Sequence, residues 1–165
     1  MQRKRGARLV SSYPTVQMAV KITVNTTITN GSEKETYELI TFGQYIQKTS
    51  SVFLRYDELM EEGSAKTVVK VSDQEGSIVR NGSVEIRLPF QMNKILVGSY
   101  KTPYGVLDME TSTRGIRHEF DDVLKKGLIN ILYDLKVQGN HAGTYHVLIT
   151  FEEDEKDEYS RAGKK

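Results

Sequence analysis

The chain has 165 residues, 38% hydrophobic and 27% charged, with a formal net charge of +1. That length supports one ordinary domain with a real core, and the near-zero charge balance argues against a dedicated nucleic-acid or membrane-surface binder, which carries a basic excess. The absence of cysteine excludes disulfides, iron–sulfur ligation, cysteine zinc sites and a thiol nucleophile, and fits a reducing, cytoplasmic setting.

Residues 1–16 read as a basic, flexible arm carrying Arg3, Lys4, Arg5 and Arg8. No apolar run follows it, so neither a signal peptide nor a membrane span is expected. From residue 17 the pattern changes. Met18, Val20, Ile22, Val24 and Ile28 point one way, while Lys21, Thr23, Asn25 and Thr27 point the other. Period two with β-branched residues is the pattern of a half-buried strand, and Asn-Gly-Ser-Glu after it signals a hairpin. In residues 34–48, Tyr37 and Leu39 are followed by Ile40 and Phe42. The apolar parity therefore changes near Gly43, as a bulge or sharp bend would require.

The theme then repeats. Val52, Leu54, Tyr56 and Met60 share a face, as do Thr67, Val69 and Val71. Val84, Ile86, Leu88 and Phe90 alternate with Glu85, Arg87 and Pro89. Residues 95–101 run into Thr-Pro-Tyr-Gly, where Pro103 and Gly105 suit a turn, and Leu107, Met109, Thr111 and Thr113 leave it. Tyr104 at the tip is the one residue a plain turn does not need. It is a candidate for lining a pocket mouth. Over residues 117–126, Phe120, Val123 and Leu124 have helical spacing, but a strand ending in a polar turn fits as well and is the favoured reading. Ile129 to Val137 and Tyr145 to Phe151 alternate again across the Gly-Asn-His-Ala-Gly turn. Many short strands at regular spacing predict an all-β antiparallel sandwich or barrel over residues 17–152, with a charged, disordered tail over 153–165.

The runs Phe53–Leu59, Gly63–Val71, Val79–Phe90, Tyr100–Thr113 and Leu128–Gly139 occur in an order and spacing that resemble the YwiB-like bacterial family, a domain family of unknown function. The resemblance covers about Val20 to Phe151. It implies a single antiparallel up-and-down β-barrel, lipocalin-like, of about eight to ten strands, which closes its own edges and either fills its interior or holds a small ligand. It implies no activity.

Glu58 shares the inward parity of Val52, Leu54 and Tyr56, so a carboxylate is expected inside the barrel, where it must be protonated or paired. Arg80 and Arg87 are the nearest partners by strand order. Arg87 has the solvent parity of its strand, and the parity of Arg80 is open beside the Asn-Gly turn. Two readings follow: a polar anchor for a ligand in an apolar cup, or a structural ion pair. No Gly-x-Ser-x-Gly, phosphate-binding or dinucleotide motif occurs, and His118, His141 and His146 are not spaced as metal ligands, so no cofactor and no metal are expected. The leading expectation is non-enzymatic binding of a small apolar or amphipathic ligand by Tyr56, Glu58, Arg80 or Arg87, and Tyr104. The alternatives are an interaction or scaffold protein with a filled barrel, a homodimer among its forms, a nucleic-acid-associated protein acting through the basic arm, and an enzyme centred on Glu58.

Overall fold

The computed structural model describes residues 16–61 and 63–155. Residues 1–15 of the basic arm and 156–165 of the charged tail lie outside the described residues. Ten strands follow in order: β1 (Val16–Asn30), β2 (Glu33–Gln47), β3 (Val52–Met60), β4 (Gly63–Val71), β5 (Glu75–Gly82), β6 (Glu85–Gln91), β7 (Ile95–Thr102), β8 (Gly105–Asp121), β9 (Lys126–Val137) and β10 (Asn140–Glu153). Each pairs antiparallel with its neighbours in sequence, and β1 pairs with β10 to close the barrel. The segment with helical spacing is strand and turn: β8 runs to Asp121, whose carboxylate accepts the backbone N–H groups of Val123 and Leu124.

The closing ladder matches Val20 with Glu153 at one end and Thr29 with Thr144 at the other. Five hairpin turns, including Gly31-Ser32 and Pro103-Tyr104, lie at what we term the upper end. The other four connections lie at the lower end, with the start of β1 and the finish of β10. At the Pro103-Tyr104 turn, the Tyr104 N–H donates to Thr102 Oγ1 at 3.1 Å and that hydroxyl donates to the Gly105 carbonyl at 2.7 Å. Gly105 takes φ +134°, a conformation that a side chain disfavours.

Alternation sets the core. Val20, Ile22, Leu54, Val69, Ile129, Ile131 and Ile149 are fully or almost fully buried within the barrel. Two features depart from simple alternation. First, the parity change expected near Gly43 does not occur. β2 keeps one register against β1 throughout, and Ile40 and Phe42 point outward and are exposed. Gly43 is required for another reason: a Cβ there would overlap the Arg55 carbonyl, so glycine permits the close approach of β2 to β3. Second, the real parity switches are bulges in β8, between Thr113 and Gly115, and in β10, between His141 and Gly143. The β8 bulge turns Thr111 and Thr113 inward above it and Ile116, His118 and Phe120 below it. It leaves Arg114 outside, where it donates to Asp134 at 2.9 Å.

The wall is not uniform. β2 pairs with β3 only over Gly43–Gln47, so its residues 33–42 and the end of β3 separate towards the upper end. β6 pairs with β7 only over Glu85–Arg87. Beyond that point Pro89 has no N–H to offer a partner, and its carbonyl accepts the Thr111 hydroxyl of β8 at 2.5 Å. Because Gly43 sits where the β2–β3 ladder begins, Gly43→Ala should destabilise the fold by about 2 kcal/mol through forced strand separation, read as a lowered midpoint in urea unfolding monitored by far-UV circular dichroism.

Candidate functional site

Glu58 on β3 and Arg80 on β5 face each other across β4. Their pairing partners on β4 are Ala65 and Thr67. All three chains of side groups point inward, because each shares the parity of a buried neighbour: Glu58 with Tyr56, Thr67 with Val69, Arg80 with Ile78. Arg80 Nε donates to Glu58 Oε1 at 2.9 Å, and the Thr67 hydroxyl donates to the same oxygen at 2.5 Å. The side chains of Arg80 and Glu58 are 24% and 15% exposed, so the pair lies at the rim of the interior rather than in water. Burial works against the guanidinium charge, but the adjacent carboxylate outweighs it and holds Arg80 above its ordinary pKa.

Below this pair is a cavity of about 210 Å³. Its walls are mostly apolar: Val24, Ile78, Leu88, Met109, Val147 and Ile149 are among them. Its polar lining is Arg80, Thr26 and three phenols, Tyr56, Tyr133 and Tyr145. Tyr133 and Tyr145 stack with centroids 5.3 Å apart. Burial pushes all three phenols above their ordinary pKa, and Arg80 partly offsets this for Tyr56 and Tyr133. The three remain neutral hydroxyls at physiological pH. Arg80, Thr26, Ile86 and Tyr145, nearest the upper end, are half-buried, whereas Ile78, Tyr133 and Ile149 are buried. The cavity therefore opens upward. The terminal nitrogens of Arg80 and the hydroxyls of Tyr56, Tyr133 and Tyr145 have no hydrogen-bond partner among the described residues.

The lower half of the barrel is filled. Tyr45 stacks on Phe151 and Phe120 at 4.5 and 4.9 Å, and its hydroxyl lies 2.9 Å from His118 Nε2. Burial lowers the His118 pKa below its ordinary 6.5, with Glu119 opposing in part. This plug makes the interior a cup closed at the bottom.

Of the residues expected from sequence, the structure places Tyr56 and Arg80 in the cavity wall and pairs Glu58 with Arg80, while Glu58 itself does not line the cavity. Arg87 is exposed on the outer face of β6, as its parity indicated, and takes no part in the pair. Tyr104 is 99% exposed at the β7–β8 turn and does not line the cavity. The upper turns project beyond the cup, so a side chain at their tip meets solvent. Sequence reasoning missed Tyr133, Tyr145 and Thr67, whose parity was legible but whose registration against Arg80 and Glu58 was not. It also missed His118, which the β8 bulge turns inward. No group of residues able to hold a metal ion occurs among the described residues.

Residues 22–149, which contain all of β2 to β9, match the family model described as Domain of unknown function (DUF1934). The chain belongs to the DUF1934 family. This DUF1934 protein is 32% identical over 133 residues to the Uncharacterized beta-barrel protein YwiB of Bacillus subtilis (strain 168), covering 81% of this chain and 92% of that protein. The crystal structure of the ywiB protein from Bacillus subtilis matches it with a TM-score of 0.76 at 31% identity, over 87% of this chain and 97% of that chain. These agree with the ten-strand closed barrel. Neither description names an activity.

Two measurements test the site's physical chemistry. Glu58→Leu strands the Arg80 charge and should cost about 3 kcal/mol, while the double change Glu58→Leu with Arg80→Met should recover most of that loss in chemical denaturation. The second concerns the plug. His118 has a lower pKa folded than unfolded, so the unfolded chain takes up the proton first as pH falls. Its stabilising contribution is present above pH 6.5 and is lost progressively below it. The stability difference between wild type and His118→Phe should therefore shift against wild type between about pH 7 and 5, measured as thermal midpoints across that range.

Proposed function

We propose that this barrel binds a small, largely apolar molecule in its upper cup, with the Glu58–Arg80 pair as its polar anchor. The observation that carries this reading is the cavity of about 210 Å³, apolar on most of its wall, into which unpartnered polar groups converge. Binding sites for small molecules have this make-up: apolar walls fix affinity and a few placed polar groups fix orientation. A pair serving stability alone needs no adjoining space. The up-and-down barrel with one closed end supports the same reading, since lipocalins use such a cup. Catalysis is not part of the proposal: the pair offers a carboxylate already bound by two donors and no activated nucleophile.

The test is methyl-resolved NMR under xenon pressure, because xenon enters apolar protein cavities. The methyl groups of Val24, Ile78, Met109 and Val147 should shift in a saturable manner, and those of Val20, beside the lower plug, should not. Val24→Phe, which fills the cup, should abolish the response. Absence of a saturable shift in the folded wild type, or an equal response in Val24→Phe, would overturn the reading.

A further inference from the structure

Resting on that reading, we infer that the cup takes a compact molecule with an uncharged hydrogen-bond acceptor, a carbonyl of a ketone, ester or amide, rather than an acid or an amine. Size comes first. A dry cavity of about 150 Å³ accommodates benzene, so by proportion this one holds roughly eight non-hydrogen atoms. A long acyl chain or a nucleotide does not fit.

The donor and acceptor inventory comes next. The terminal nitrogens of Arg80 are donors with no accepting capacity. Tyr56, Tyr133 and Tyr145 bring three neutral hydroxyls, each able to give one proton and also to accept one, so only the guanidinium is a donor without accepting capacity. The strongest acceptor nearby is Glu58, and its Oε1 is already engaged by Arg80 Nε and the Thr67 hydroxyl. A molecule without a polar head leaves these donors unanswered. A molecule whose head only donates meets a guanidinium.

Charge decides between the remaining heads. Arg80 and Glu58 at 2.9 Å form a neutral unit, with the carboxylate behind the guanidinium as seen from the cup. A carboxylate entering the cup would place a second, uncompensated negative charge in a weakly polar enclosure, at a desolvation cost that the pair no longer offsets. An ammonium would face Arg80 directly. A carbonyl carries no charge penalty and still receives a charge-assisted hydrogen bond from a guanidinium whose orientation Glu58 fixes.

The experiment uses the full chain and four probes of matched carbon skeleton: methyl pentyl ketone, heptanoate, heptylamine and heptane, titrated at neutral pH and followed by the cavity methyl resonances. The ketone should bind more tightly than each of the others by about tenfold or more, the scale of one hydrogen bond to a charged group. Arg80→Met should bring the ketone down to the affinity of heptane. Glu58→Gln, which keeps the shape but leaves the guanidinium charge unbalanced, should reverse the preference and make heptanoate bind more tightly than the ketone. Tighter binding of heptanoate or heptylamine to the wild type, or equal binding of heptane, would overturn the inference while leaving the cup a binding site. Failure of all four probes to shift any cavity methyl would overturn the proposed function itself. The wild-type ranking decides the inference even if a variant fails to fold.

Discussion

The ladder between β1 and β10 joins the two ends of the described chain and turns a meander of hairpins into a closed wall. Two-stranded hairpins are marginal by themselves, and an open ten-strand sheet would leave two edges for unwanted pairing. Closure removes those edges and creates an inside. Every inward parity in the protein has meaning only because Val20 to Thr29 register against Thr144 to Glu153.

Within that wall, space is distributed unequally. The lower half receives Tyr45, Phe120 and Phe151, three rings that stack on one another. The upper half receives Val24, Val147 and Ile149 on the paired strands β1 and β10, and this aliphatic stretch of wall shares the cavity with Tyr56, Tyr133 and Tyr145. The same period-two alternation therefore yields a plug at one end, where the inward rings stack on one another, and a cup at the other, where they line a cavity. The β8 bulge takes part in this division. Without the shift between Thr113 and Gly115, His118 and Phe120 would face solvent and the plug would lose two of its members.

The Glu58–Arg80 pair occupies the boundary between cup and solvent, on the side where β2 and β3 part. Placing charge at a rim avoids the full cost of burial. The pair spans β3, β4 and β5, with Thr67 on the middle strand also bonded to the carboxylate, so it ties three strands beside the gap between β2 and β3. A structural role and a role in orienting a ligand are compatible here: a guanidinium held rigid by a carboxylate is pre-organised for whatever meets its free side.

Much of this was legible in the residues alone. Alternation with β-branched residues and regular turns defined the strands, because burial on one face of a pleated strand forces period two. Parity alone turned Tyr56 and Glu58 inward, because side-chain direction on a strand is a local property. The remainder required the assembled wall. Arg80 rather than Arg87 meets Glu58 because the β4–β5 register sets Arg80 opposite Thr67, a pairing that no single strand encodes. Near Gly43 the order Leu39, Ile40, Phe42 suggested a parity switch, yet the strand is continuous, since exposed apolar residues are tolerated on an outer face. The true switch at Thr113–Gly115 shows in the sequence only as a change from Leu107 and Met109 to Ile116 and Phe120 across a polar stretch, so its position is fixed by the pairing with β9. Whether the barrel is hollow was likewise beyond local pattern: cavity volume depends on which side chains from opposite walls reach one another, and only the closed tertiary structure decides that.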